Sequence, residues 1–285
     1  MRRPMIRHKT LREAYRDGAQ YLTACGIEDA SVDAWLLLTY VTGITRTYFL
    51  AEGGAPMMPE QHARYEELIL SRGSHIPLQH LTGQQEFMGL LFRVNEHVLI
   101  PRQDTEILVE ETLARLRPGM RVLDLCTGSG CIAISLAKFG AELLIDAADI
   151  SEQALAVAAE NAACLGAAVR LLHSDLFSDI PGQYDVIVSN PPYIRSHVID
   201  TLAEEVRLHE PHQALDGRED GLHFYRSIIQ ESREHLCPGG WLLFEIGYDQ
   251  GESVKALMSE GGFSEIRVKQ DLAGLDRVVL GKCAL

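Results

Sequence analysis

The stretch Asn190-Pro191-Pro192-Tyr193 follows the apolar run from Tyr184 to Ser189, so an amide, two rigid rings and a phenol stand where a strand ends. Each proline removes an N–H and turns the residue before it away from helical angles, so the chain leaves the strand extended and stiff. The Asn190 side-chain oxygen and the Pro191 main-chain carbonyl can then converge as two acceptors. That pair holds an –NH2 group by both of its hydrogens. The nitrogen lone pair is thereby aimed, and an activated methyl group is the small electrophile that suits it. Tyr193 offers an aromatic wall to the flat group that carries the nitrogen. Asparagine is no base at neutral pH, so rate comes from alignment and from acceptors that stabilise positive charge growing on nitrogen. A plain strand-to-loop stop is the other use of the same residues.

Three more polar clusters lie upstream. Asp124-Leu125-Cys126-Thr127-Gly128-Ser129-Gly130 closes one apolar run and opens a helical pattern. Gly128-Ser129-Gly130-Cys131-Ile132-Ala133 fits a relaxed GxGxxA nucleotide fingerprint, although an ordinary turn uses glycines for the same steric freedom. Asp149 comes 25 residues after Asp124 at the end of the next run, near the offset of about 20 at which an acid takes the two ribose hydroxyls. A helix N-cap at Asp149 or Ser151 is equally compatible. Ser174-Asp175-Leu176-Phe177 ends the third run; Asp175 can accept from an adenine amino group with Phe177 packed nearby, or can form a local turn.

These clusters need strands to present them. From residue 103, helical patterns alternate with apolar runs, as in "RVLDLC", "ELLIDAADI", "VRLLHSD", "YDVIVSN" and "GWLLFEIG", and the chain closes with "SEIRVKQ" and "LDRVVLGK". Alternation of this kind predicts an α/β fold with a doubly wound, seven-stranded, mostly parallel sheet and an antiparallel edge where the last two strands pair. Ligands of such sheets bind beyond the carboxyl ends of the strands, which is where all four clusters fall. Residues 1–75 read instead as a small helical domain of three helices, with Asp29 or Ser31 capping the second. Residues 76–102 read as a β-hairpin and linker with turns near Gly89 and Asn95, and residues 103–285 as the catalytic domain.

Composition narrows the function. The chain has 285 residues, 46% hydrophobic and 23% charged, enough for a full core and a smaller second lobe. No apolar run approaches the ~20 residues that span a bilayer. The basic start "MRRPMIRHKT" leads into "LREAYRDGAQ" instead of an apolar signal core, so a cytoplasmic protein is expected. The six cysteines and eleven histidines show no zinc-like spacing, which predicts free thiols and no metal site. Residues 1–75 carry nine basic and nine acidic side chains, so the whole formal charge of −14 falls on the remainder. An acidic chain without a basic stripe argues against direct nucleic-acid binding.

The series Asp124-x-Cys126-x-Gly128-x-Gly130, Asp149, Asp175 and Asn190-Pro191-Pro192-Tyr193 resembles the motifs of class I S-adenosylmethionine-dependent methyltransferases that act on planar –NH2 groups. The segments "PLQHLTGQQEFMGLLFRVNEHVLIPRQDTE", "HEPHQALDGREDGLHFYR", "GGWLLFEIGYDQG" and "DLAGLDRVVL" are similar to the PrmC/HemK release factor glutamine methyltransferases along nearly the whole chain. The resemblance implies methyl transfer from S-adenosyl-L-methionine to the side-chain amide nitrogen of the glutamine in the Gly-Gly-Gln motif of class 1 peptide chain release factors. It implies that Cys126, Thr127, Gly128, Ser129 and Gly130 line the methionine end of the cofactor, that Asp149 takes the ribose, and that Asp175 with the Leu176 backbone takes the adenine. Asn190 and Pro191 would hold the glutamine amide, with Asn190 also bordering the cofactor, and Pro192 and Tyr193 would shape the slot. Phe87 and the Pro101-Arg102 loop would lie near its mouth, and the helical domain would help to dock the substrate protein. Cysteine at 126, where many relatives have glycine, is shared with a sister family that methylates a glutamine of a large-subunit ribosomal protein. A nucleic-acid amino methyltransferase and a non-catalytic nucleotide-binding module are the remaining alternatives.

Overall fold

The computed structural model describes residues 9–284; the basic start, residues 1–8, lies outside the described residues. The chain forms two compact units, one ending at Gly83 and the other running from Gln84 to the end. The first unit holds α1 (Leu11–Ala24), α2 (Ala30–Thr42), α3 (Arg46–Glu52), α4 (Pro59–Gly73) and α5 (Leu78–Thr82). Its core gathers Leu22, Leu37, Leu38, Tyr65 and Ile69. Thr10 opens α1 with a capping box: its hydroxyl accepts from the Glu13 N–H at 3.2 Å, while the Glu13 carboxylate accepts from the Thr10 N–H at 2.9 Å. Periodicity predicts three helices over residues 1–75; among the described residues four form there, and a fifth, α5, stands in the stretch read as hairpin and linker. The additional two are too short to repeat a 3.6-residue pattern, and α3 is held at its start by the Thr45 hydroxyl, which accepts from the Tyr48 N–H at 3.2 Å. Asp29 occupies the N-cap of α2 without a side-chain hydrogen bond to the helix.

The second unit opens with a hairpin of β1 (Gln84–Phe87) and β2 (Leu90–Arg93), turned at Met88 and Gly89, both with positive φ. Then follow α6 (Thr105–Leu113), β3 (Arg121–Leu125), α7 (Cys131–Phe139), β4 (Leu144–Asp149), α8 (Glu152–Leu165), β5 (Arg170–His173) and β6 (Tyr184–Ser189). Three short helices, α9 (Ser196–Ile199), α10 (Glu204–His209) and α11 (His212–Leu215), precede α12 (His223–His235), β7 (Leu236–Glu245), α13 (Gly251–Glu260), β8 (Phe263–Gln270) and β9 (Asp276–Cys283).

The sheet runs β5-β4-β3-β6-β7-β9-β8. Strands β3 to β7 are mutually parallel, and β9 lies antiparallel between β7 and β8. Because side chains alternate along a strand, the inner strands feed two cores. Leu123, Ile187, Leu242 and Phe244 pack with Tyr225, Ile228 and Met258 of α12 and α13 on one face. Val122, Val186, Val188 and Leu243 pack with Leu108 and Val109 of α6 and Ile132 and Leu136 of α7 on the other. After β3, the chain moves outward through β4 and β5, then returns to place β6 on the opposite side of β3. Strand order therefore reverses between β3 and β6, and a crevice opens beyond their carboxyl ends.

Candidate active site

A cavity of about 680 Å³ occupies that crevice. Its wall includes Cys126, Thr127, Gly128 and Ser129 after β3, Asp149 after β4, Asp175 and Leu176 after β5, and Asn190 and Pro192 after β6. Pro101 and Arg102 line it as well. Gly130, Pro191 and Tyr193 are not among the residues of that wall.

The glycine loop is built around two carboxylates. Asp124, in β3, is wholly buried; its Oδ2 accepts from the Thr127 hydroxyl at 2.6 Å and the Ala133 N–H at 3.2 Å, while Oδ1 has no partner. Burial pushes this carboxyl up to about 7, against the pull of those two donors, and the charge of Asp149 adds to the rise. Asp149 spans two loops. Its Oδ2 accepts from the Gly128 N–H and its Oδ1 from the Ser151 N–H, both at 2.9 Å. Burial raises the Asp149 pKa, and these backbone donors offset part of that rise. Each oxygen keeps one further lone pair, so the carboxylate that shapes the loop can still accept from two hydroxyls. Ser151 caps α8 separately, its hydroxyl accepting from the Ala154 N–H at 3.1 Å.

Two wall residues hold the left-handed backbone that glycine prefers. Cys126 has φ of 59° and Leu176 of 47°, and strain of this kind concentrates where a loop is shaped for a ligand. The Cys126 thiol is pushed far up, chiefly by burial and then by the charge of Asp149, so it is no nucleophile. Gly130 has φ of 80°, and a Cβ there would lie 2.9 Å from Ile134 Cδ1 and 3.1 Å from Ala158 Cβ. Its part is to let α8 close on the start of α7.

At the far end of the cavity, Asn190 is anchored by its nitrogen. Nδ2 donates to the Thr105 hydroxyl at 3.5 Å, which turns the amide oxygen the other way. Ser189 fixes the strand end just before it, its hydroxyl donating to the Leu125 carbonyl at 2.7 Å. Tyr193, expected to wall the slot with its ring, packs instead against the core beneath the sheet. Its phenol donates to Glu245 Oε1 at 3.2 Å, and burial, with the Glu245 charge, raises its pKa strongly. The Tyr193 carbonyl accepts from Gln250 Nε2 at 3.0 Å, a bond that pins the chain after the prolines. Phe87, expected near the mouth, is buried edge-on against Phe92, 6.0 Å between centroids, because hairpin alternation turns it to the α6 face.

Glu210, Thr105 and Glu245 are the polar residues that sequence patterns leave unmarked. Buried Glu210 braces the loop over the cavity: Oε2 accepts from the Ile100 N–H at 3.2 Å and Oε1 pairs with Arg102. A carboxylate after four largely apolar residues, "WLLFE", was the available signal for Glu245.

Sheet order, switch-point cavity and polar strand ends together define a class I methyltransferase. Residues 13–83 match the family model described as PrmC N-terminal domain, and residues 103–218 the methyltransferase small domain. The release factor glutamine methyltransferase of Geobacter sulfurreducens is 43% identical over 263 residues, covering 92% of this chain and 93% of that protein. The protein of the same name from Neisseria gonorrhoeae is 44% identical over 254 residues, covering 88% and 93%. A methyltransferase structure from Pyrococcus furiosus shares the fold, with a TM-score of 0.54 at 18% identity over 78% of this chain and all of that one. This chain belongs to the release factor glutamine methyltransferase family.

Proposed function

We propose that this chain transfers a methyl group from S-adenosyl-L-methionine to the side-chain amide nitrogen of the glutamine in the Gly-Gly-Gln motif of class 1 release factors. The observation that carries the reading is Asn190, held by its nitrogen at the edge of a cavity whose other wall is a glycine loop and an acidic strand end. The cavity suits the cofactor in size and donors: its volume lies in the range of small-molecule sites, Asp149 has lone pairs to spare, and Asp175 with the Leu176 backbone faces the same space. The loop from Cys126 to Gly130 would hold the methionine end, Asp149 the ribose, and Asp175 and Leu176 the adenine. When bound, the cofactor supplies a methyl group activated by a sulfonium.

Everything else falls to side chains and backbone of this protein. The Asn190 oxygen and the Pro191 carbonyl accept the two hydrogens of the substrate amide and leave its nitrogen lone pair directed into the cavity. Positive charge gathers on that nitrogen as it takes the methyl group, and two acceptors already in place stabilise it. The proton is then released to solvent. Pro192 keeps the acceptors stiff, while the Tyr193 phenol, donating to Glu245, anchors the chain that follows them. The helical unit up to Gly83 is proposed to help dock the release factor, in the cytoplasm where translation takes place.

The test is methyl transfer from labelled S-adenosyl-L-methionine, offered release factor, its variant with alanine for the Gly-Gly-Gln glutamine, ribosomal proteins and DNA side by side. Label on the release factor that vanishes with the variant is the expected result. Label only on a ribosomal protein or on DNA overturns the substrate assignment. Asn190→Ala is expected to bind cofactor and release factor and to lose transfer; retained turnover overturns the role of Asn190.

A further inference from the structure

The two acceptors for the substrate amide sit on an arch of four residues, Asn190-Pro191-Pro192-Tyr193, and neither proline has an N–H with which to fasten it. Stiffness fixes the shape of the arch but leaves its aim open. Aim is set where the arch joins the rest of the fold. At the near end Ser189 pairs with Phe244 and donates its hydroxyl to the Leu125 carbonyl. Whatever holds the far end therefore decides where the Asn190 oxygen and the Pro191 carbonyl point.

The far end meets one buried amide. Gln250 is 3% exposed and is not among the residues lining the cavity. Its Nε2 donates to the Tyr193 carbonyl at 3.0 Å and to the Gly221 carbonyl at 3.2 Å, while Oε1 accepts from the Gly247 N–H at 2.9 Å. The two carbonyls only accept and the N–H only donates, so this amide has a single orientation. The Tyr225 hydroxyl, which donates to the Glu245 carbonyl at 2.9 Å, also reaches Oε1 at 3.4 Å. Around the same point the chain closes on itself. The Ile194 N–H donates to the Leu215 carbonyl at 3.0 Å, and the Gly217 N–H to the Ile194 carbonyl at 2.8 Å. A Cβ at Gly221 would lie 2.5 Å from the Tyr193 oxygen and 2.7 Å from Gln250 Nε2, so the approach requires glycine. Asp216, Arg218, His223 and Phe224, on either side of Gly221, line the cavity. One amide thus ties the arch to a stretch of the cavity wall.

We infer that Gln250 is a positioning residue for methyl transfer, its amide fixing the far end of the arch that carries the Asn190 oxygen and the Pro191 carbonyl. It acts through the Tyr193 carbonyl. The phenol of Tyr193 anchors the side chain to Glu245, and Gln250 anchors the backbone of the same residue. The inference deepens the proposed amide methylation and rests on it.

The test compares Gln250→Met and Gln250→Glu with the wild type in the full chain, with Tyr225→Phe as the control. Methionine keeps the length of the side chain and loses its donors and acceptor. Glutamate keeps an acceptor for the Gly247 N–H and loses the donors. Tyr225→Phe removes a buried hydroxyl, and with it some stability, and leaves the bonds to both carbonyls in place. The readings are kcat and KM for release factor per cofactor-binding site, calorimetric affinity for S-adenosyl-L-methionine, and the carbonyl resonance of Tyr193. Tyr193-Ile194 is the one tyrosine-isoleucine pair in the sequence, so protein labelled with 13C-carbonyl tyrosine and 15N-isoleucine gives a single correlated signal. Both Gln250 variants are expected to shift that signal and to lower kcat by about tenfold to a hundredfold, as misplacement of a reacting group does, with KM and cofactor affinity within about threefold of the wild type. Tyr225→Phe lowers Tm and keeps both kcat and the signal. Wild-type kcat in either Gln250 variant overturns the inference, as does a loss carried by KM or cofactor affinity alone, or an equal loss of kcat in Tyr225→Phe. If Gln250→Met does not fold, Gln250→Glu decides. If the wild type leaves release factor unmethylated, the functional reading fails, and the Tyr193 signal alone decides whether Gln250 holds the arch.

Discussion

Asp149→Asn separates two roles that one side chain holds together. The carboxylate satisfies the Gly128 N–H with one oxygen and the Ser151 N–H with the other, both at 2.9 Å. Asparagine has one oxygen. Whichever donor it serves, its –NH2 is turned toward the other, leaving a buried N–H without an acceptor at a cost of about 1–3 kcal/mol. The charge of Asp149 is itself opposed by burial, so removing it returns part of that cost. A net loss of about 1–2 kcal/mol is expected, which in a chain of this size lowers Tm by roughly 2–4 °C per kcal/mol. Cofactor affinity is expected to fall further. Two ribose hydroxyls would lose an ionised acceptor, and bonds to charged groups contribute about 1.5–3 kcal/mol, so Kd is expected to rise by roughly tenfold to a hundredfold. Ser151→Ala is the control. It removes the α8 cap at Ala154 without touching the carboxylate, lowers stability by about 1 kcal/mol, and leaves cofactor affinity intact. Calorimetric titration with S-adenosyl-L-methionine and thermal unfolding measure both quantities on the same samples. An Asp149→Asn protein that binds cofactor as the wild type does refutes the ribose role, whatever its Tm.

Two other residues of the glycine loop give independent tests. Asp124 has its folded pKa raised to about 7, against roughly 3.9 for an unfolded aspartate, so its carboxyl favours the folded state below about pH 4, and that contribution is lost as pH rises through about 7. Asp124→Asn cannot ionise and keeps an oxygen for Thr127 and Ala133; urea unfolding is expected to show its stability falling less than that of the wild type between about pH 5 and 8, by at most about 3 kcal/mol, and parallel curves refute the shift. Cys126 sits at φ of 59°, where a Cβ is strained, so Cys126→Gly is expected to be more stable than Cys126→Ala by about 1 kcal/mol in denaturant unfolding; the reverse order refutes backbone strain at this position.

The alternation of helices and apolar runs from residue 103 was legible because strand and helix periods are local, and a parallel sheet follows from that alternation alone. So were the polar clusters at the strand ends: Cys126 to Ser129, Asp149, Asp175 and Asn190 stand beside apolar runs in the sequence and around one cavity in the fold. Proline stiffness acts on adjacent residues, which made the loop after β6 readable as well. Direction was not local. Whether Tyr193 faces the slot or the core depends on Glu245, 52 residues away, and whether Phe87 faces solvent or sheet depends on which side of a hairpin packs against α6. Thr105 meets Asn190 across 85 positions, and nothing in either neighbourhood announces the other. Strand pairing and register set such meetings. Each local stretch specifies that a side chain points to one face or the opposite one, and only the assembled sheet, β6 beside β7 with α6 laid over both, decides what that face contains.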